Sequence, residues 1–186
     1  MPAGTVTIKR SFNALLALPE AAPGTRTTGA LNALKQKRTA YSDARFAVPL
    51  LQKANGQTVD HEDVAEALFS FLDNPGEGMW SIHLSKAVAL LAGLDPDPDR
   101  LVALYARILT DPVYEQRGEP RVAVCRALAG LGPRASELRP ALEAAAERER
   151  ELVRIGRHAG EEKSMLPAIE EALRALPHAG QEEATR

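Results

Sequence analysis

Leu91-Ala92-Gly93-Leu94 returns 37 residues later as Leu128-Ala129-Gly130-Leu131, and that echo decides the fold. Gly56, Gly93 and Gly130 keep the same spacing, as do Pro75 and Pro112. The register extends to the apolar positions: Val64 falls on Leu101 and Leu138, Leu68 on Tyr105 and Leu142, and Phe71-Leu72 on Ile108-Leu109. A fixed period between about 20 and 50 residues marks a stacked solenoid, in which each unit buries its apolar face only against its neighbours.

Composition supports helices as the stacked elements. The 186 residues are 45% hydrophobic and 26% charged, enough for one soluble domain with a real core. Aromatics make up only 4% while Ala and Leu dominate, which favours close-packed helices over sheets. The expected class is all-α, a right-handed α-solenoid of about four helix pairs.

Cys125 is the only cysteine, so no intramolecular disulfide can form and a cysteine-based zinc site lacks its ligands. With no local histidine or glycine-rich helix start to activate it, it reads as a small buried hydrophobe inside a helix. No stretch approaches the roughly 20 apolar residues needed to cross a bilayer. Lys9-Arg10 precede an apolar run, Phe12 to Leu18, but Asn13 interrupts it and Pro19-Glu20 end it, so the expected location is cytoplasmic.

The net charge of −2 hides an asymmetry. Residues 1–53 hold eight cations, Lys9, Arg10, Arg26, Lys35, Lys37, Arg38, Arg45 and Lys53, against Glu20 and Asp43, so this end carries +6 and the remainder −8. A basic end on an acidic body can steer an anionic partner or permit head-to-tail contact between copies, although two ordinary solvated surfaces have the same composition.

Residues 1–27 stand outside the period and read as an arm or cap, with a Pro/Gly/Thr linker over 21–28. Residues 28–177 read as helix pairs, and 178–186 as a disordered tail. The first pair is expected near 28–39 and 42–54, with Ser42 or Asp43 capping the second helix, Gly56 ending it and Pro49 forcing a kink or a late start. In the second, Asp60 caps a helix whose first turn carries Glu62 and Asp63 and whose buried stripe is Val64, Leu68, Phe71 and Leu72; Asp73-Asn74-Pro75-Gly76 stop it. Its partner, about 79–92, repeats Trp80, Leu84, Ala87, Val88 and Leu91 at helical spacing, which makes Trp80 a core residue more readily than a ligand platform. The third pair spans about 98–109 and 120–129, joined by a turn over 110–118, with Pro120 in a first helical turn. A fourth starts near Ser136, runs through Glu147 to Arg157, turns at His158-Ala159-Gly160 and closes over 166–176.

Pro120 to Gly132, PRVAVCRALAGLG, resembles the second helix of short bacterial HEAT-like repeats, approximately Pro-x-Val-Arg-x-x-Ala-x-x-Ala-Leu-x-x-Leu-Gly, within the wider HEAT and armadillo type. Asp43 to Val48 is a weaker copy, and Trp80 to Gly93 keeps the apolar skeleton and the final glycine. Arg and Val are transposed at 121–122, and the fourth unit is stretched. The resemblance implies a noncatalytic protein-interaction scaffold, in which second helices line a concave face that would carry Arg45, Lys53, His83, Lys86, Arg121 and Arg126. Each of these can equally be an exposed helix residue or the partner of a nearby carboxylate. Similar solenoids bind DNA or assist the attachment of pigments to proteins, so fold limits function only weakly.

His61, His83, His158 and His178 lack the i, i+4 pairing of a helical zinc site. Asp95, Asp97 and Asp99 alternate like a calcium loop, but the intervening prolines and the missing glycine and terminal Glu make them a turn and cap. There is no phosphate loop, nucleophile elbow or dinucleotide pattern. Glu147 to Glu151 offers i, i+3 pairs, Glu147–Arg150, Arg148–Glu151 and Glu151–Arg154, suited to a solvated face. The expectation is therefore no catalytic residue, no metal and no cofactor. A protein partner or self-association is the first reading, and nucleic-acid backbone binding through the basic N-terminal segment is the alternative, with affinity falling as salt rises.

Overall fold

The computed structural model describes residues 25–35, 47–51, 60–75, 81–94, 96–115, 118–156 and 165–176, and among them every regular element is helical. The elements are α1 (Thr25–Leu34), a helical stretch at 47–51, α2 (His61–Asp73), α3 (Ser81–Ala92), α4 (Pro98–Thr110), α5 (Pro112–Glu115), α6 (Gly118–Ala127), a 3₁₀ segment (Leu128–Leu138), α7 (Arg139–Arg154) and α8 (Leu166–Ala175). The chain divides into two compact units, Met1–Leu94 and Asp95–Arg186. Most of the N-terminal arm, the caps Ser42 and Asp43, Gly56, Trp80, the turn His158-Ala159-Gly160 and the tail lie outside the described residues.

In the first unit α2 packs against α1 and α3. Asp60 caps α2, its carboxylate accepting from the Glu62 N–H at 3.0 Å, and Glu62 and Asp63 place negative charge at the positive end of the helix dipole. Val64, Leu68, Phe71 and Leu72 are buried on one face, and the helix stops before Asn74, as the sequence indicates. α1 begins at Thr25, inside the segment read as arm and linker, because Thr27, Ala30, Leu31 and Leu34 form a buried helical stripe that Gly29 does not interrupt. Lys35, just past α1, meets Asp63 at 3.0 Å on the surface.

In the second unit α4 starts on Asp97, whose carboxylate accepts from the Asp99 N–H at 3.0 Å, with Pro98 in the first turn. Leu101, Leu104, Tyr105, Ile108 and Leu109 are buried along it. The connection read as a turn over 110–118 contains α5, and α6 begins at Gly118, two residues before Pro120.

The largest departure from the sequence reading follows Ala127. A helix from Pro120 to Ala129 is expected, but the chain tightens to 3₁₀ at Leu128 and turns at Gly132, with φ 54° and ψ −133°. Gly130 is not among the left-handed glycines, which in the described residues are Gly132 and Gly156. Gly156 likewise ends α7 soon after Arg154, short of the expected Arg157, with the Gly156 N–H donating to Val153 O at 3.0 Å.

α7 and α8 pack together and run antiparallel. Arg139 at the start of α7 donates to Leu176 O past the end of α8 at 3.5 Å, while Arg150 near the end of α7 meets Glu170 in the first half of α8 at 3.0 Å. α4 also packs against α7, α6 and the 3₁₀ segment. Arg134 of that segment pairs with Asp99 and with Glu137, and its hydrogen bond holds the Glu137 carboxyl below the usual carboxylate range.

Candidate functional site

Of the six candidate cations, Arg45 and Lys53 lie outside the described residues, and the other four do not share one surface environment. Lys86 and Arg126 are exposed, whereas His83 is 8% and Arg121 only 1% accessible. His83 and Arg121 are thus corrected from surface groups to interior ones. The cause is helical spacing: Arg121, Val124 and Leu128 recur at i, i+3 and i+7 on the buried side of α6 and its 3₁₀ extension, and His83, Ala87 and Leu90 at i, i+4 and i+7 on α3.

Arg121 is accommodated by carbonyls at the end of α4 and by a carboxylate of α7. Its Nε donates to Ile108 O at 3.2 Å and its Nη2 to Asp111 O at 3.3 Å, so it satisfies carbonyls at the C-terminal end of α4 where positive charge complements the dipole. Its Nη1 lies 3.9 Å from Glu149 Oε1 on α7, and Glu149 is completely buried. Glu149 Oε2 in turn accepts from the Met165 N–H, the residue that opens α8, at 3.4 Å. Carboxylate and helix start are complementary for the same electrostatic reason.

The sequence reading placed Glu149 on a solvated face, and that is the second correction. Glu147, Arg148 and Arg150 are exposed, but Leu142, Ala145, Ala146, Glu149 and Leu152 form one buried stripe. The signal was available, since Glu149 sits at i+4 from Ala145 and i+7 from Leu142. Of the expected pairs, Glu147–Arg150 stands at 3.4 Å and Glu151–Arg154 at 2.7 Å.

A groove of about 650 Å³ opens between α6 and α8. Val122, Cys125 and Arg126 line it from α6, and Ala168, Glu171, Ala172 and Ala175 from α8. Leu128, Ala135 and Leu176 are buried residues of its lining. Small side chains on both helices leave the space. Arg126 and Glu171, one from each helix, are exposed, and among the described residues neither forms an ion pair. Cys125 is half-buried on the α6 side, and burial pushes its thiol up to about 11, which keeps it protonated and weakly nucleophilic near neutrality.

Among the described residues no three His, Cys, Asp or Glu side chains converge as metal ligands, and no helix is long and apolar enough to cross a membrane. Comparison with protein-family models, with curated proteins and with solved structures finds no match to this chain.

Proposed function

We propose that the chain is a noncatalytic protein-interaction module built from HEAT-like helix pairs of a right-handed α-solenoid, and that it holds an amphipathic helix of a partner protein in the groove between α6 and α8. The repeat reading is supported by burial at equivalent positions: Val64, Leu101 and Leu138; Leu68, Tyr105 and Leu142; Phe71-Leu72 and Ile108-Leu109; Leu91 and Leu128.

The groove, with Arg126 and Glu171 facing it from opposite helices, is the observation that carries the docking reading. Small side chains let a third helix approach closely, and its apolar residues at i, i+3 or i+4, and i+7 fill the trough. An acidic side chain on one flank meets Arg126 and a basic one on the other meets Glu171, which fixes the direction in which the partner lies. A small apolar ligand carrying one charge would be repelled by one of the two side chains.

Selection of displayed helical peptides against the full chain tests the proposal. Enriched sequences should carry an apolar stripe flanked by an acid and a base, and should lose binding to Ala129→Phe and Ala175→Phe, which fill the groove from exposed positions. The reading is overturned if no helical peptide is enriched or if the filled variants bind as well as the wild type. It is equally overturned if the groove proves to take small amphiphiles and not helices.

A further inference from the structure

We infer that the buried Arg121–Glu149 pair is a latch that holds α8 as a separately releasable wall of the second unit. One ion pair joins four helix ends: Arg121, near the start of α6, holds the final carbonyls of α4, and Glu149, near the end of α7, holds the first N–H before α8. A buried ion pair adds little net stability over apolar side chains of similar volume, so its physical advantage lies in fixing one arrangement of the parts it connects.

α8 is one of the shorter and more lightly buried helices of the second unit. It has ten residues, below the length at which an isolated helix persists in water. Within it only Ile169 and Ala172 are buried, with Met165 and Leu176 at its two ends, whereas α4 buries five side chains including Tyr105. Further polar ties of α8 include Arg150–Glu170 and Arg139 to Leu176 O, made by α7 at exposed or partly exposed sites where such contacts are weak. Short helices with little burial open at the low end of a protein's range of local stabilities. Because α8 supplies Ala168, Glu171, Ala172, Ala175 and the adjoining Leu176 to the groove, its release widens the groove and uncovers Leu128 and Ala135. The latch rests on helix-end geometry and holds whether or not the groove takes a partner.

Hydrogen exchange followed by mass spectrometry on the full chain separates a latch from a general core contact. In the double variant Arg121→Met/Glu149→Leu, apolar side chains replace the pair and leave no unpaired buried charge. Exchange over 169–176 should rise about tenfold or more, while 101–106 and 142–148 change less than about twofold. A uniform rise across all three segments, or no change over 169–176, overturns the inference. A second measurement does not depend on the variant folding: in sub-denaturing urea, wild-type amides over 169–176 should exchange with a smaller urea dependence than those over 101–106. Equal dependences mean that α8 opens only with global unfolding, and the latch is then wrong.

Discussion

Arg121 Nη1 stands 3.9 Å from Glu149 Oε1, with both side chains sealed from solvent, so two positions the sequence assigns to surfaces form the polar centre of the second unit. Removing one partner leaves the other charge buried and uncompensated. Arg121→Met and Glu149→Leu are each expected to lower unfolding stability by about 3–5 kcal/mol, and the double variant by much less than their sum. Urea denaturation of the four proteins closes the cycle, and additive losses would show that the two groups do not interact.

Charge reversal separates the true surface cation from the buried one. Arg126→Glu should change stability by less than about 0.5 kcal/mol because the side chain is exposed and forms no ion pair among the described residues. Arg121→Glu, placing two carboxylates together out of water, should prevent stable folding. Circular dichroism melts of both variants read the difference directly. Peptides enriched against the wild type should then bind Arg126→Glu more weakly, and loss of helix in that variant would remove Arg126 from the surface.

Leu128→Ala removes a buried side chain that also borders the groove. Large-to-small core replacements cost about 2–5 kcal/mol, and the open groove on one side places this one toward the lower figure. An unchanged melting temperature would take Leu128 out of the core and damage the 37-residue register.

Two glycines two residues apart should respond with opposite signs. Gly132 has φ 54° with no neighbour within 4 Å of an added Cβ, so Gly132→Ala is opposed by the backbone alone and should cost about 1–3 kcal/mol. Gly130 lacks a left-handed φ and is equally unhindered, so Gly130→Ala should stabilise by about 0.4–1 kcal/mol through the unfolded chain. Thermal melts of the pair decide which glycine turns the chain.

The Cys125 thiol provides a pH test of groove burial. With its ionisation pushed up to about 11, burial favours the neutral thiol, so iodoacetamide labelling at pH 8 should run about a hundredfold slower than in the urea-unfolded chain. The native rate should climb with pH toward 11 where the unfolded rate has already levelled. Because the folded state holds this proton more tightly, its contribution to stability is present at neutral pH and is lost as pH rises through about 11. Equal labelling rates at pH 8 would place Cys125 in open solvent.

Much of the helical framework was legible in the residues themselves. Asp60 and Asp97 are capping groups because their carboxylates reach N–H groups two residues on, an interaction local in sequence. The stripes Val64 to Leu72 and Leu101 to Leu109 are buried because an amphipathic helix has one apolar face to hide. Arg121 and Glu149 were misread because a charged residue on an apolar stripe is assigned by type when its partner is 28 positions away. The position of Glu149 on the stripe of Leu142 and Leu152 was visible, but its counter-charge and the α8 N–H were not.

The sequence by itself therefore determined where α2, α4 and α8 begin, which faces α2 and α4 bury and that the described chain is helical, since capping and periodicity act over one to three turns. Tertiary structure decided that the chain turns at Gly132 and not at Gly130, that the charge on Glu149 points inward, and that small side chains of α6 and α8 leave a groove between them. Those outcomes depend on which helix ends meet in space. A buried charge is tolerated only where an opposite charge and free backbone groups converge on it, and no local pattern records that convergence.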